Sequence, residues 1–118
     1  MSEGSDITSI PLLMDVIIEM TVAEEVASTL RTMRRAHTAN DLNTLADLRD
    51  YSWDHIVAFE GYLSQPEATW EVEAEQAWRV LHRVAEDLAA GKPADEWANI
   101  QRELTAVFPT VALFTEEN

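Results

Sequence analysis

The sequence predicts an all-α protein, a single antiparallel four-helix bundle-like domain, and three observations carry that expectation. Apolar residues recur at steps of three and four through most of the chain, and strand-like alternation is absent outside a short stretch at 110–114. Turn signals divide the chain into helical segments near 10–38, 41–63, 66–90 and 93–108. Their connections are only a few residues long, which makes sequential segments antiparallel neighbours. A length of 118 residues suits one core, and no linker is long enough to separate two.

The third segment has the clearest pattern. Trp70, Ala74, Ala77, Leu81, Val84 and Leu88 follow one another at steps of four and three, a continuous apolar seam on a helix. Ser64-Gln65-Pro66-Glu67 ahead of it has the form of a capping box with proline in the first turn, and Gly91 stands where helices commonly end.

The other elements are read against that seam. Residues 1–8 are polar and expected to fray, so the domain proper is 9–114 and the tail 115–118 is expected to be solvated. The first helix should open near Ser9 with Pro11 in its first turn. Ile10, Leu13, Met14, Ile17 and Ile18 give it a broad apolar face, with Asp15 and Glu19 opposite. Thr21-Val22-Ala23-Glu24 resembles a second capping box, which would break the helix there. Val22, Val26, Leu30, Met33 and His37 extend a stripe from Ile18, which favours one long helix, bent at Thr21 at most.

Asn40 is the expected N-cap of the second helix. Leu45, Leu48, Ser52, His55, Phe59 and Tyr62 form its seam, and Asn43, Asp47, Asp50 and Asp54 lie on the far side. Trp97, Ile100, Leu104, Val107 and Phe108 repeat at helical steps in the last segment until Pro109. Thr110–Phe114 is either a final helical turn or an extended piece. The expected core is Ile17, Leu30, Leu45, Leu48, Phe59, Trp70, Ala77, Leu81, Val84, Leu88, Trp97, Ile100 and Leu104.

Charge constrains function more than any motif does. Eight basic against 22 acidic residues give a net charge of −14 and a pI near 4.3. That field repels nucleic-acid phosphates and anionic lipid, and attracts basic protein surfaces. The expected partner is therefore a protein with a basic surface, with no direct nucleic acid and no membrane. No apolar run is long enough to span a bilayer and no signal-peptide pattern opens the chain, so a cytoplasmic protein is expected. Cysteine is absent, which removes disulfides, thiolate metal sites and cysteine nucleophiles.

Catalytic patterns are thin. Ser52 and His55 share a helix face, but no glycine-rich elbow or oxyanion loop accompanies them. Glu-x-x-His is missing, so the carboxylate–histidine signature of di-iron bundles is absent, although His55 and His82 could approach each other near mid-bundle. Neither a cofactor nor a metal nor enzyme activity is expected.

The sharpest functional pattern is the acidic row Asp47, Asp50 and Asp54, which Glu71 and Glu75 could continue on the next helix. Such a row fits a basic groove, including one that ordinarily holds nucleic-acid phosphates. Trp53 and Trp78 lie beside their seams, where tryptophan often anchors an interface. Arg31, Arg34 and Arg35 complement the dipole at the end of the first helix. The expected function is an acidic protein-interaction module of inhibitor, immunity or regulatory type. The alternatives are a bundle that binds a small ligand or metal between helices through His55 and His82, and a structural subunit. The subunit would form a homodimer or larger oligomer through Trp53, Trp78 or the 110–114 segment.

Overall fold

The computed structural model describes residues 2–62 and 69–115. Four principal helices follow one another: α1 (Ser2–Thr38), α2 (Leu42–Tyr62), α3 (Thr69–Ala89) and α4 (Trp97–Val107). A 3-10 turn at Pro109–Val111 and a final short helix, α5 (Ala112–Thr115), complete it. The fold is all-α and bundle-like, and no strand occurs among the described residues. The 110–114 segment is helical, which settles its form.

Contacts between helices show the alternating direction. Glu25 of α1 meets Tyr51 and His55 of α2. Arg79 of α3 reaches back to Glu60 of α2 at 2.7 Å, while His82 meets the Arg49 carbonyl. Arg83 of α3 and Glu103 of α4 pair at 2.8 Å. His37 near the end of α1 packs on Trp97 at the start of α4, and Glu19 accepts a hydrogen bond from Thr110 just beyond it. Each helix thus runs against the one before it, and α4 also runs against α1.

Two helix ends use the same device. Asn40 and Gly91 both have positive φ, 56° and 82°. After each, the chain closes with a paired set of bonds: Asn40 N–H to His37 O and Asp41 N–H to Ala36 O, then Gly91 N–H to Leu88 O and Lys92 N–H to Asp87 O. This is the left-handed C-terminal cap that favours Gly and Asn. Asn40 therefore closes α1, whereas the sequence suggested that it opens α2. The residue that caps α2 is Asp41, whose carboxylate accepts from Thr44 N–H at 3.1 Å and Thr44 Oγ1 at 2.7 Å. Those bonds hold the Asp41 carboxyl below its ordinary pKa. The expected capping box at 64–67 and the end of the tail, 116–118, lie outside the described residues. Pro93 does not open α4, which starts at Trp97 after Glu96.

The seam of α3 is buried along its whole length, from Trp70 to Leu88. So are Leu30, Leu45, Phe59, Ile100 and Leu104, while Leu48 and Trp97 are half-buried against the core. Because α3 touches α1, α2 and α4 alike, a second line beside its seam is buried too, with Trp78 and Ala85 fully enclosed.

Ile17 departs from the expected core, being about half exposed. The cause is rotational phase. No break occurs at Thr21, whose Oγ1 donates to the Ile17 carbonyl in the manner of a helical Thr. Residues 15, 19, 22, 26, 30 and 33 consequently form one line down α1. Val26, Leu30 and Met33 place that line in the core, so Asp15 and Glu19, not Ile17, continue it. Both acids are met there: Trp70 Nε1 donates to Asp15 at 3.0 Å and Thr110 Oγ1 donates to Glu19.

Replacing Trp78, the largest fully enclosed side chain, with Ala should cost about 3–5 kcal/mol through lost burial and a residual cavity. Urea unfolding measures this, and a loss under about 1 kcal/mol would mean that Trp78 does not pack as described.

Candidate functional site

The outer face of α2 carries the acidic row. Asp47, Asp50 and Asp54 are all exposed. Asp50 accepts from Arg49 Nε at 3.0 Å, an exposed pair that leaves most of its charge available to a partner. Asp47 lines an open groove of about 340 Å³ between α1 and α2, together with Glu25, Thr29, Thr32 and Tyr51. One step round the helix, Trp53 and Val57 are 49% and 50% exposed and stand one turn apart. The Trp53 ring leans on His82 with centroids 5.3 Å apart, which fixes its position while leaving half of it in water. An apolar ridge thus runs beside a line of carboxylates.

Three of the residues expected on this surface are placed elsewhere. Trp78 is fully buried, stacked on His55 with centroids 4.1 Å apart and met edge-on by Tyr51. It is core and cannot contact a partner. Glu75 is only 6% exposed and is held by Arg79 at 2.6 Å, with Glu60 as the second acceptor of the same guanidinium. It lies one turn before Trp78 on the side of α3 that faces α2, so it is internal to the bundle and does not extend the row. Glu71 is half-buried, at the far end of α3 from the Arg49–His82 contact. Glu71 and Glu75 therefore do not continue the row, which Asp47, Asp50 and Asp54 of α2 form.

A polar cluster that the sequence did not single out joins three helices behind this face. Tyr51 donates its hydroxyl to Glu25, and His55 Nε2 lies 3.4 Å from the same carboxylate. His55 Nδ1 donates to the Tyr51 carbonyl at 2.9 Å, which fixes one proton on the ring because a carbonyl only accepts. The Trp78 indole beneath keeps a buried Nε1 without a hydrogen-bond partner. Partial burial, then the hydrogen bond to Glu25 and the charge of that carboxylate, push the Tyr51 phenol from 10.0 up to about 12. The one trace of the cluster in the sequence is the i, i+4 pair Tyr51–His55; Glu25, 26 residues away from Tyr51, enters only through the packing of α1 on α2.

The two histidines do not share a site. His55 is engaged by Glu25, Tyr51 and Trp78, whereas His82 donates from Nδ1 to the Arg49 carbonyl at 3.0 Å, rests on Trp53 and has Glu86 4.0 Å away. Among the described residues no group of three or more His, Asp or Glu is arranged to hold a metal ion. No helix among them is long and apolar enough to cross a membrane.

Because the raised phenol pKa favours the neutral form in the folded state, its contribution to stability is complete below pH 10.0 and is lost as pH rises towards about 12. An ultraviolet titration should resolve one late tyrosine, which Tyr51→Phe removes and Glu25→Gln brings closer to the ordinary value. Two tyrosines titrating together at the ordinary value would contradict the cluster. No family model matches this chain, and neither does any curated protein or solved structure.

Proposed function

We propose that this chain is a non-enzymatic, acidic protein-interaction module that docks the outer face of α2 onto a basic surface of another protein. The observation that carries the reading is the half-exposed Trp53–Val57 ridge, immobilised on one side by His82 and bordered by the exposed carboxylates of Asp47, Asp50 and Asp54. Each part has a separate task. The carboxylates, within a net charge of −14, accelerate encounter with a cationic surface and reject like-charged ones. The indole supplies apolar area at small entropic cost, as tryptophans at interface centres do. A partner surface matching both has Arg or Lys around an apolar recess, a description that also fits grooves built for nucleic-acid phosphates. An inhibitor, immunity or regulatory role follows if the docked surface is the partner's working surface.

The test is capture from the native cell extract on the immobilised chain, at low and then high salt. Specific capture should fall steeply with salt and should disappear with Asp47→Asn, Asp50→Asn and Asp54→Asn combined. Trp53→Ala should weaken it by roughly tenfold or more, the loss typical of an interface anchor. Capture that ignores salt, or that the triple variant retains in full, would sink the proposal.

A further inference from the structure

Cations are scarce in this chain, and those of the first helix are placed differently from the rest. Arg49, Arg79, Arg83 and Lys92 each pair with a carboxylate of the chain, and Arg102 donates to Asn99. With 22 acids to eight bases, a carboxylate is what any cation here should find. Arg31, Arg34 and Arg35 have no carboxylate partner among the described residues. The helix dipole accounts for Arg35, which stands in the last turn of α1. Its effect fades within that turn, so it contributes little at Arg34 and leaves Arg31, about two turns from the helix end, unexplained.

Arg31 and Arg34 line a recessed cavity of about 60 Å³ between α1 and α4. Ala27 and Leu30, both buried, give it an apolar lining, and half-buried Trp97 and Gln101 of α4 complete it. No Asp or Glu among the described residues lines it. The donors are already placed. Arg31 is anchored through Nη1 to the Phe114 carbonyl at 2.9 Å, a neutral acceptor that leaves its charge and four of its five N–H groups unanswered. Arg34 gives no guanidinium N–H to a described residue; only its carbonyl is used, by Thr38. Gln101 Nε2 donates to the Thr115 carbonyl at 3.4 Å and keeps its second N–H. His37 packs on Trp97 with centroids 5.9 Å apart and so steadies that indole.

We propose that this cavity binds a carboxylate carried on a short apolar stem, the chemistry shared by a small free acid and the side chain of an acidic residue. Three observations select it. Two guanidiniums without a carboxylate of their own call for an anion, and their planar forks match a carboxylate. The apolar lining calls for a stem. Inorganic phosphate would set oxygens against Ala27, Leu30 and Trp97, where nothing donates to them. The volume admits roughly four or five water-sized groups, which a carboxylate and one or two methylenes fill. A net charge of −14 repels any anion at a distance, but salt screens that field beyond about 10 Å. Contact with the two arginines therefore decides binding. The site is separate from the acidic face of α2 and does not depend on the function proposed for it.

A nitrogen-15 NMR titration of the whole chain tests this, with the Trp97 indole N–H as reporter, identified by its loss in Trp97→Phe. Butyrate represents the free acid and N-acetylglutamate N-methylamide the protein side chain. At least one of them should move the reporter saturably, and the one that binds more tightly identifies the source. Arg34→Gln, at an exposed position, should weaken binding by at least roughly tenfold with an unchanged unfolding midpoint, and Asp47→Asn should leave it unaltered. Saturation by neither acid at up to about 50 mM would overturn the proposal. So would equal binding of butyramide or inorganic phosphate, or full binding by Arg34→Gln. Binding that emerges only when Glu116 and Glu117 are both changed to Gln would also overturn it, because the chain's own carboxylates would then be the ligand.

Discussion

An unbroken helix keeps a single rotational phase, and that constraint on α1 decides much of the rest of the structure. Val26, Leu30 and Met33 must face α2, α3 and α4 if there is to be a core. With no kink at Thr21 to reset the phase, the same line carries Asp15 and Glu19 towards the body. Two donors meet them on that line, Trp70 Nε1 on the exposed Asp15 and Thr110 Oγ1 on the half-buried Glu19. The apolar residues between those acids are left facing water. A break at Thr21 would have allowed the first half to turn its apolar face inward, at the cost of the helical hydrogen bonds across the break.

The other organising element is α3, which has neighbours on three sides and so buries two lines of residues. Its seam supplies small side chains, Ala74 and Ala77, where helices approach closely, and its second line supplies Trp78. The Trp78 indole is the floor on which His55 stacks and against which Tyr51 rests its edge. Above that floor, Glu25 ties α1 to α2 through both residues. The outer side of α2 is thereby freed from structural duty, since its inner side already supplies Leu45, Ser52, Ile56 and Phe59 to the core. An exposed tryptophan among carboxylates on such a side has no packing role that would account for it beyond its lean on His82.

Much of this was legible in the residues, for reasons that also mark the limit. Trp70 to Leu88 was readable because a seam needs only the helical period and one neighbouring surface. The bundle topology followed from short connections, and the long first helix from its stripe at 22–37. What a single period cannot reveal is how many neighbours a helix has. Trp78 and Glu75 were therefore expected on a surface that α2 in fact covers. Nor does apolar character alone say which way a face points: Ile17 belongs to the stronger apolar run, yet the phase was set downstream by Val26 and Leu30. Asn40 was misplaced by one step because Asn serves both as an N-cap and as a left-handed C-terminal residue, and Asp41 next to it is an equally good cap. The Glu25–Tyr51–His55 cluster is a long-range arrangement without a sequence signature.

The orientation of α1 is the claim on which both the core and the outward apolar stripe rest. The absence of cysteine makes it directly measurable by thiol labelling of single-cysteine variants. Ile17→Cys should react at nearly the rate of an unfolded thiol, whereas Val26→Cys should be protected until the protein opens. Equal protection at both positions, or a reactive thiol at 26 with a protected one at 17, would contradict the single-phase account of α1.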